Sequence, residues 1–162
     1  MHEADVLYLP TPHHVVDAML RLAAVSQADT VYDLGSGDGR IPVAAARDYG
    51  ARAVGVELDG RMIERARCNA RESGTERLVE FRQEDLFRAD LRGATVVTLF
   101  LFPEMNRRLA RKLRDELRPG TRIVSHRFGL GDWPPERIIE AGGNELLLWR
   151  VPGPGALPPA AR

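Results

Sequence analysis

Lysine is nearly missing from this 162-residue chain: Lys112 is the single one among 23 basic residues, and the rest are arginine. That excess of arginine carries no functional reading by itself. Net charge is missing too, because 23 acidic residues balance the 23 basic ones. This excludes a protein held to nucleic acid or membrane mainly by bulk charge. Cysteine is reduced to Cys68, so no intramolecular disulfide can form and a cysteine-based structural zinc site has no ligands. A reducing compartment fits. No run approaches the roughly eighteen apolar residues of a membrane-spanning helix. The start, Met1-His2-Glu3-Ala4-Asp5, is acidic and leads into no apolar stretch of secretory-leader length. The expected location is the cytoplasm, without membrane association.

What is present is ordinary globular material, with 44% hydrophobic and 28% charged residues, enough to form one domain with a real core. Thr11-Pro12 reads as an N-cap and first helical residue opening a helix over about 12–25, with Val15, Val16, Met19, Leu20 and Ala23 on its buried face. Val31–Leu34 is a short strand that runs into Gly35-Ser36-Gly37-Asp38-Gly39 and a helix over 40–49. A strand over 53–57, a helix over 60–73 capped by Asp59, and a strand over 78–82 follow. The near-continuous apolar run 95–102 predicts a central strand covered on both faces. Met105, Leu109, Leu113 and Leu117 give the next helix its inner side, with Arg107, Arg111, Arg114 and Arg118 on a solvated face. A strand over 122–126 comes next. Strict alternation of helix and strand implies a parallel sheet with helices on both faces. The alternation ends in a hairpin, 137–140 and 145–150, around Ala-Gly-Gly-Asn. Residues 1–151 are expected to form one domain, and 152–162 (PGPGALPPAAR) a disordered tail.

In an open α/β sheet, ligands bind at the carboxyl ends of the strands, and the chemistry-bearing residues fall there. The loop Asp33-Leu34-Gly35-Ser36-Gly37-Asp38-Gly39 lets the backbone approach a ligand closely. Its two acids disfavour a pyrophosphate and favour an amine or sulfonium. Arg40 stands where a dinucleotide fingerprint has its third glycine. Glu57 ends the second strand, suited to ribose hydroxyls, and Asp85 follows the third, suited to an adenine amino group. Each acid alone is weak; the ordered set is not. His13-His14 point to different sides of a helix, so no metal site is expected.

These residues resemble a class I S-adenosylmethionine-dependent methyltransferase over about 6–151. Closer similarity, to the small stand-alone protein lysine methyltransferases of archaea and bacteria and to the mitochondrial ATP synthase c-subunit lysine methyltransferases, lies in four segments. These are Tyr8-Leu9-Pro10-Thr11-Pro12, VYDLGSGDGR at 31–40, TVVTLF at 95–100 and Val124-Ser125-His126-Arg127-Phe128. The resemblance implies a Rossmann-like doubly wound α/β sheet of seven strands, order 3-2-1-4-5-7-6 with strand 7 antiparallel. It implies S-adenosyl-L-methionine as cofactor, S-adenosyl-L-homocysteine as product, and a protein carrying an exposed lysine as partner. Asp33, Gly35, Gly37 and Asp38 would surround the methionine part, Glu57 the ribose and Asp85 the adenine, with Ser36, Leu58 and Leu86 also at the cofactor. Tyr8 and Pro10 would lie on a segment closing over the cofactor. Thr98, Phe100 and His126 would line the methyl-transfer pocket; Tyr8 suits positioning the amine or packing of the N-terminal segment equally. No [DN]-P-P-[YF] follows the fourth strand, which argues against the usual adenine, cytosine and glutamine amino-group methyltransferases.

Methyl transfer asks for orientation and desolvation rather than a nucleophilic side chain. Phe100 and Phe102 suit apolar walls, and His126 is either a proton acceptor through water or a hydrogen-bonded wall. Trp133 suits stacking or core packing equally. Rival readings keep the cofactor with a small-molecule or RNA acceptor, or keep the binding without turnover. A nicotinamide-dependent oxidoreductase is disfavoured by Arg40 and the hairpin. Oligomeric state stays open.

Overall fold

A computed structural model describes residues 10–153. Seven strands form one sheet in the order β3-β2-β1-β4-β5-β7-β6. In chain order the elements are α1 (His13–Leu22), β1 (Thr30–Leu34), α2 (Arg40–Tyr49), β2 (Arg52–Glu57), α3 (Gly60–Glu72) and β3 (Val79–Gln83). Then come β4 (Val96–Leu99), α4 (Pro103–Glu116), β5 (Arg122–His126), β6 (Arg137–Ala141) and β7 (Asn144–Arg150). Strands β1 to β5 pair in parallel, and β7 joins antiparallel to β5 and β6. The expected order and the antiparallel seventh strand are therefore present. Among the described residues no helix is long and apolar enough to cross a membrane.

The apolar runs in the central strands follow from burial on both faces. Val31, Ala53, Val96 and Val124 pack with α1 and α2, whereas their neighbours Tyr32, Val54, Val97 and Ile123 pack on the opposite face with Leu109 and Leu113 of α4. Successive side chains point to opposite faces, so a strand covered twice must be apolar at every position. Alternation fails at one crossover. Between β3 and β4 the chain forms turns and no helix, and Leu86, Phe87, Ala89, Leu91 and Ala94 of this segment pack against the α4 face directly. The glycine and polar residues around these apolar positions break any helical stripe.

Several boundaries differ from the pattern reading. Helix α1 ends at Leu22, and its N-cap is Pro12 rather than Thr11, which bonds elsewhere. Strand β4 stops at Leu99, because Phe100 to Phe102 leave the sheet and Phe102 becomes the N-cap of α4. Arg114 is not on the solvated face of α4. Its guanidinium lies 4.8 Å over the Trp133 ring, which is itself buried and accepts Trp149 Nε1–H at its carbonyl. Trp133 is thus core packing. Tyr8 and residues 154–162 of the expected tail lie outside the described residues.

A buried polar brace locks the amino ends of three strands. Asp29 accepts from Arg122 Nη2 at 2.6 Å, from Thr95 Oγ1 at 2.8 Å and from Ser26 N–H at 2.8 Å. Burial raises the Asp29 pKa, but these hydrogen bonds and the Arg122 charge outweigh it and hold the carboxyl below its ordinary value.

Candidate active site

At the opposite, carboxyl ends of β1 to β5 lies a cavity of about 680 Å³. That volume falls within the range of small-molecule sites. Each strand contributes the residues just beyond its end: Gly35, Ser36 and Asp38 after β1, Glu57 to Asp59 at β2, and Glu84 to Phe87 after β3. Phe100 to Phe102 follow β4, and Arg127 and Phe128 follow β5. Pro10 and Thr11 enter from the N-terminal side.

The glycine loop owes its path to backbone geometry. Gly35 and Gly39 have φ of +81° and +79°. A Cβ on Gly39 would meet the Phe81 ring at 2.7 Å and Ala66 at 2.9 Å, so this glycine lets α2 start against β3 and α3. The next residue explains the missing third glycine. Arg40 pairs with Asp38 at 2.6 Å and donates to the Thr11 carbonyl at 3.1 Å. It therefore neutralises one loop acid and ties down the segment that borders the cavity. The expected repulsion from both loop acids is corrected accordingly: of the two, Asp33 alone has no ion pair among the described residues.

Asp33 is buried and lines the cavity, accepting the Thr98 hydroxyl at 2.9 Å. Burial pushes its pKa up to about 7, the Thr98 bond opposes this, and the charges of Glu57 and Asp38 add to the rise. Glu57 is oriented by backbone amides: Gly37 N–H at 2.9 Å on one oxygen, Leu58 and Asp59 N–H at 2.9 and 3.0 Å on the other. Of the roughly four acceptor sites of a carboxylate, about one is left for a ligand hydroxyl. Asp85 accepts Phe87 N–H at 2.9 Å and is otherwise exposed at the cavity edge. Ser36 Oγ is buried without a hydrogen-bond partner and lines the same cavity. The hydroxyl sits against Gly55, where an added Cβ would come within 2.6 Å of it.

The residues expected around the acceptor divide into two groups. Phe100 lines the cavity, as do Phe102, Met105 and Phe128. Thr98 and His126 do not line it: Thr98 is fully buried and His126 is 2% exposed. The His126 ring packs behind Phe100 with centroids 4.0 Å apart. Its Nδ1 bonds to Thr11 Oγ1 at 3.2 Å and its Nε2 to Asn144 Oδ1 at 2.9 Å. Asn144 Nδ2 donates to the Gly142 carbonyl. This orientation makes the amide oxygen the acceptor, so Nε2 carries the proton and Nδ1 accepts from Thr11. Burial lowers the His126 pKa, the Asn144 bond opposes this, and the Arg127 charge lowers it further, so the ring is neutral at pH 7. Thr11, Arg40, Arg127 and Asn144 were not singled out as site residues by the sequence reading. Only Arg40 gave a signal, as the odd residue in a glycine pattern.

An acid at the end of each of the first two strands, a third acid after β3, a glycine turn into α2 and an apolar wall beyond β4 together define an S-adenosylmethionine-dependent methyltransferase. The model of the ANTKMT methyltransferase domain matches residues 33–137, and the chain belongs to that family. It is 46% identical over 142 residues to the protein-lysine N-methyltransferase of Saccharolobus islandicus, covering 87% of this chain and 88% of that one. It is 40% identical to the adenine nucleotide translocase lysine N-methyltransferase of Mus musculus, covering 76% of this chain but 54% of that protein. Among solved structures, an RNA methyltransferase from Salinibacter ruber in complex with S-adenosyl-L-homocysteine superposes with a TM-score of 0.91 at 49% identity. That match covers 95% of this chain and 99% of that one.

Proposed function

We propose that the protein transfers the methyl group of S-adenosylmethionine to the ε-amine of lysine in a protein substrate. The observation that carries this reading is the 46% identity, over nearly the whole of both chains, to a protein-lysine N-methyltransferase. When bound, S-adenosylmethionine supplies a methyl group already activated on a sulfonium. In this reading Asp33, Gly35, Ser36, Gly37 and Asp38 hold the methionine part, Glu57 with Leu58 the ribose, and Asp85 with Leu86 the adenine. Pro10 borders the cavity from the N-terminal side.

A lysine must lose its proton before it can accept a methyl group, which from a pKa of about 10.4 costs roughly 4 to 5 kcal/mol at pH 7. Phe100, Phe102 and Phe128 supply an apolar wall that lowers this cost by reducing the solvation of the ammonium. His126 is a positioning residue in this scheme. With both ring nitrogens in hydrogen bonds, it holds Phe100 from behind and Thr11 at the cavity edge. The reading includes a cytoplasmic location, supported by the lone Cys68, since small secreted domains are rich in disulfides.

The name of the Salinibacter ruber structure supports a second reading with RNA as acceptor. Incubating a cell extract with labelled cofactor and the enzyme, then treating with protease or nuclease, separates the two. Label released by protease and recovered as methyl-lysine is expected; label released by nuclease overturns the lysine reading.

A further inference from the structure

The cavity mouth is electrically divided. Asp59, Glu84 and Asp85 line the cavity beyond β2 and β3, whereas the lining residues that follow β4 and β5 (Phe100, Leu101, Phe102, Met105, Arg127 and Phe128) include no acid. Arg127 belongs to that part, and a second arginine, Arg108, stands over Phe87 on the β3 side. Arg127 lines the cavity and is exposed, with its guanidinium 5.6 Å from the Phe128 ring centroid. Arg108 of α4 lies 4.3 Å over the ring of Phe87, another lining residue. Neither arginine has an ion pair with a described residue, although Arg107 and Arg111 on the same helix do.

Arg127 is also held in place. It is one of two non-glycine residues with positive φ among the described residues, at +78°, a conformation that persists only where surroundings impose it. Its N–H donates to the Glu145 carbonyl at 2.8 Å. Asn106 Nδ2 secures the next turn by donating to the Phe128 and Gly129 carbonyls at 3.3 and 3.0 Å. A positive-φ backbone thus presents, at the edge of the cavity, a cation without an ion pair among the described residues.

The geometry points to Arg127, seconded by Arg108, as a specificity determinant that selects lysines flanked by acidic residues. This rests on the lysine reading above. A substrate segment bearing Asp or Glu beside its lysine offsets the repulsion between the incoming ammonium and Arg127, and gives each arginine a carboxylate to pair with. A nucleic acid is disfavoured as the occupant, because Asp59, Glu84 and Asp85 line the other side of the same mouth and would repel a phosphate chain crossing it.

The test uses synthetic peptides of one length, each with a single lysine flanked by Glu, Gln or Arg, the full-length enzyme and labelled cofactor. The expected order of kcat/KM is Glu over Gln over Arg, by roughly fivefold per step as for an exposed ion pair. The difference should reside in KM and shrink with added salt. Arg127→Glu should invert the order, and Arg108→Glu should weaken it; cofactor affinity by calorimetry verifies that each variant is folded. Methylation indifferent to the flank, or an order unchanged in folded Arg127→Glu, overturns the inference while leaving the lysine reading intact. No methylation of any peptide, with label entering an RNA oligonucleotide instead, overturns both.

Discussion

Thr98 donates its hydroxyl to Asp33 across directly paired positions of β4 and β1, at 2.9 Å. The bond stabilises the ionised form of a carboxyl that burial holds near pH 7. A cationic ligand draws Asp33 into its charged form, so cofactor affinity is expected to rise with pH through 7 and binding to release protons. Calorimetry in buffers of different ionisation enthalpy measures that release. Asp33→Asn should abolish the pH dependence, and Thr98→Val should move it to higher pH. For the free protein the sign is opposite: Asp33 has a raised folded pKa, so its contribution to stability is present at low pH and lost as pH rises through about 7.

Glu57 gathers three backbone amides before it meets any ligand. Glu57→Ala removes a charge-assisted acceptor and loosens the turn after β2, which should weaken cofactor binding by about 1 to 3 kcal/mol. Titration calorimetry against S-adenosyl-L-homocysteine is the check, and an unchanged dissociation constant would exclude the role.

The Asp29 brace makes a prediction far from the active site. Its carboxyl lies below the usual range when folded, so the stability it gives is present above the unfolded value and fades as pH falls through the folded one. Asp29→Asn should cost about 1 to 3 kcal/mol in urea denaturation at pH 7, by leaving Arg122 poorly paired in a partly buried site. The gap between variant and parent should narrow in acid.

His126 separates a positioning role from proton transfer. Measured at saturating cofactor, kcat should show no ionisation that vanishes in His126→Gln, because both ring nitrogens are already engaged. The variant should still turn over more slowly, as Thr11 and Phe100 lose their support. A limb of the pH profile that disappears with the imidazole would instead make His126 the base.

Periodicity and turn chemistry determined most of this architecture from sequence, because each device is local. Alternating burial on two faces writes continuous apolar runs, glycine marks the turn after β1, and Ala-Gly-Gly-Asn marks the closing hairpin. The acids at strand ends were legible for the same reason: in a parallel sheet, successive strand ends converge on one edge. The tertiary structure decided what depends on distance in space. It turned Arg40 into the partner of Asp38, sent the Thr11 hydroxyl 115 positions along the chain to His126, and placed His126 behind the wall instead of in it. It also made the β3–β4 connection a packed loop and gave Arg127 its positive-φ place at the cavity, without an ion pair among the described residues. No local pattern encodes these, since hydrogen-bond and charge partners are fixed only once the sheet has brought the strand ends together.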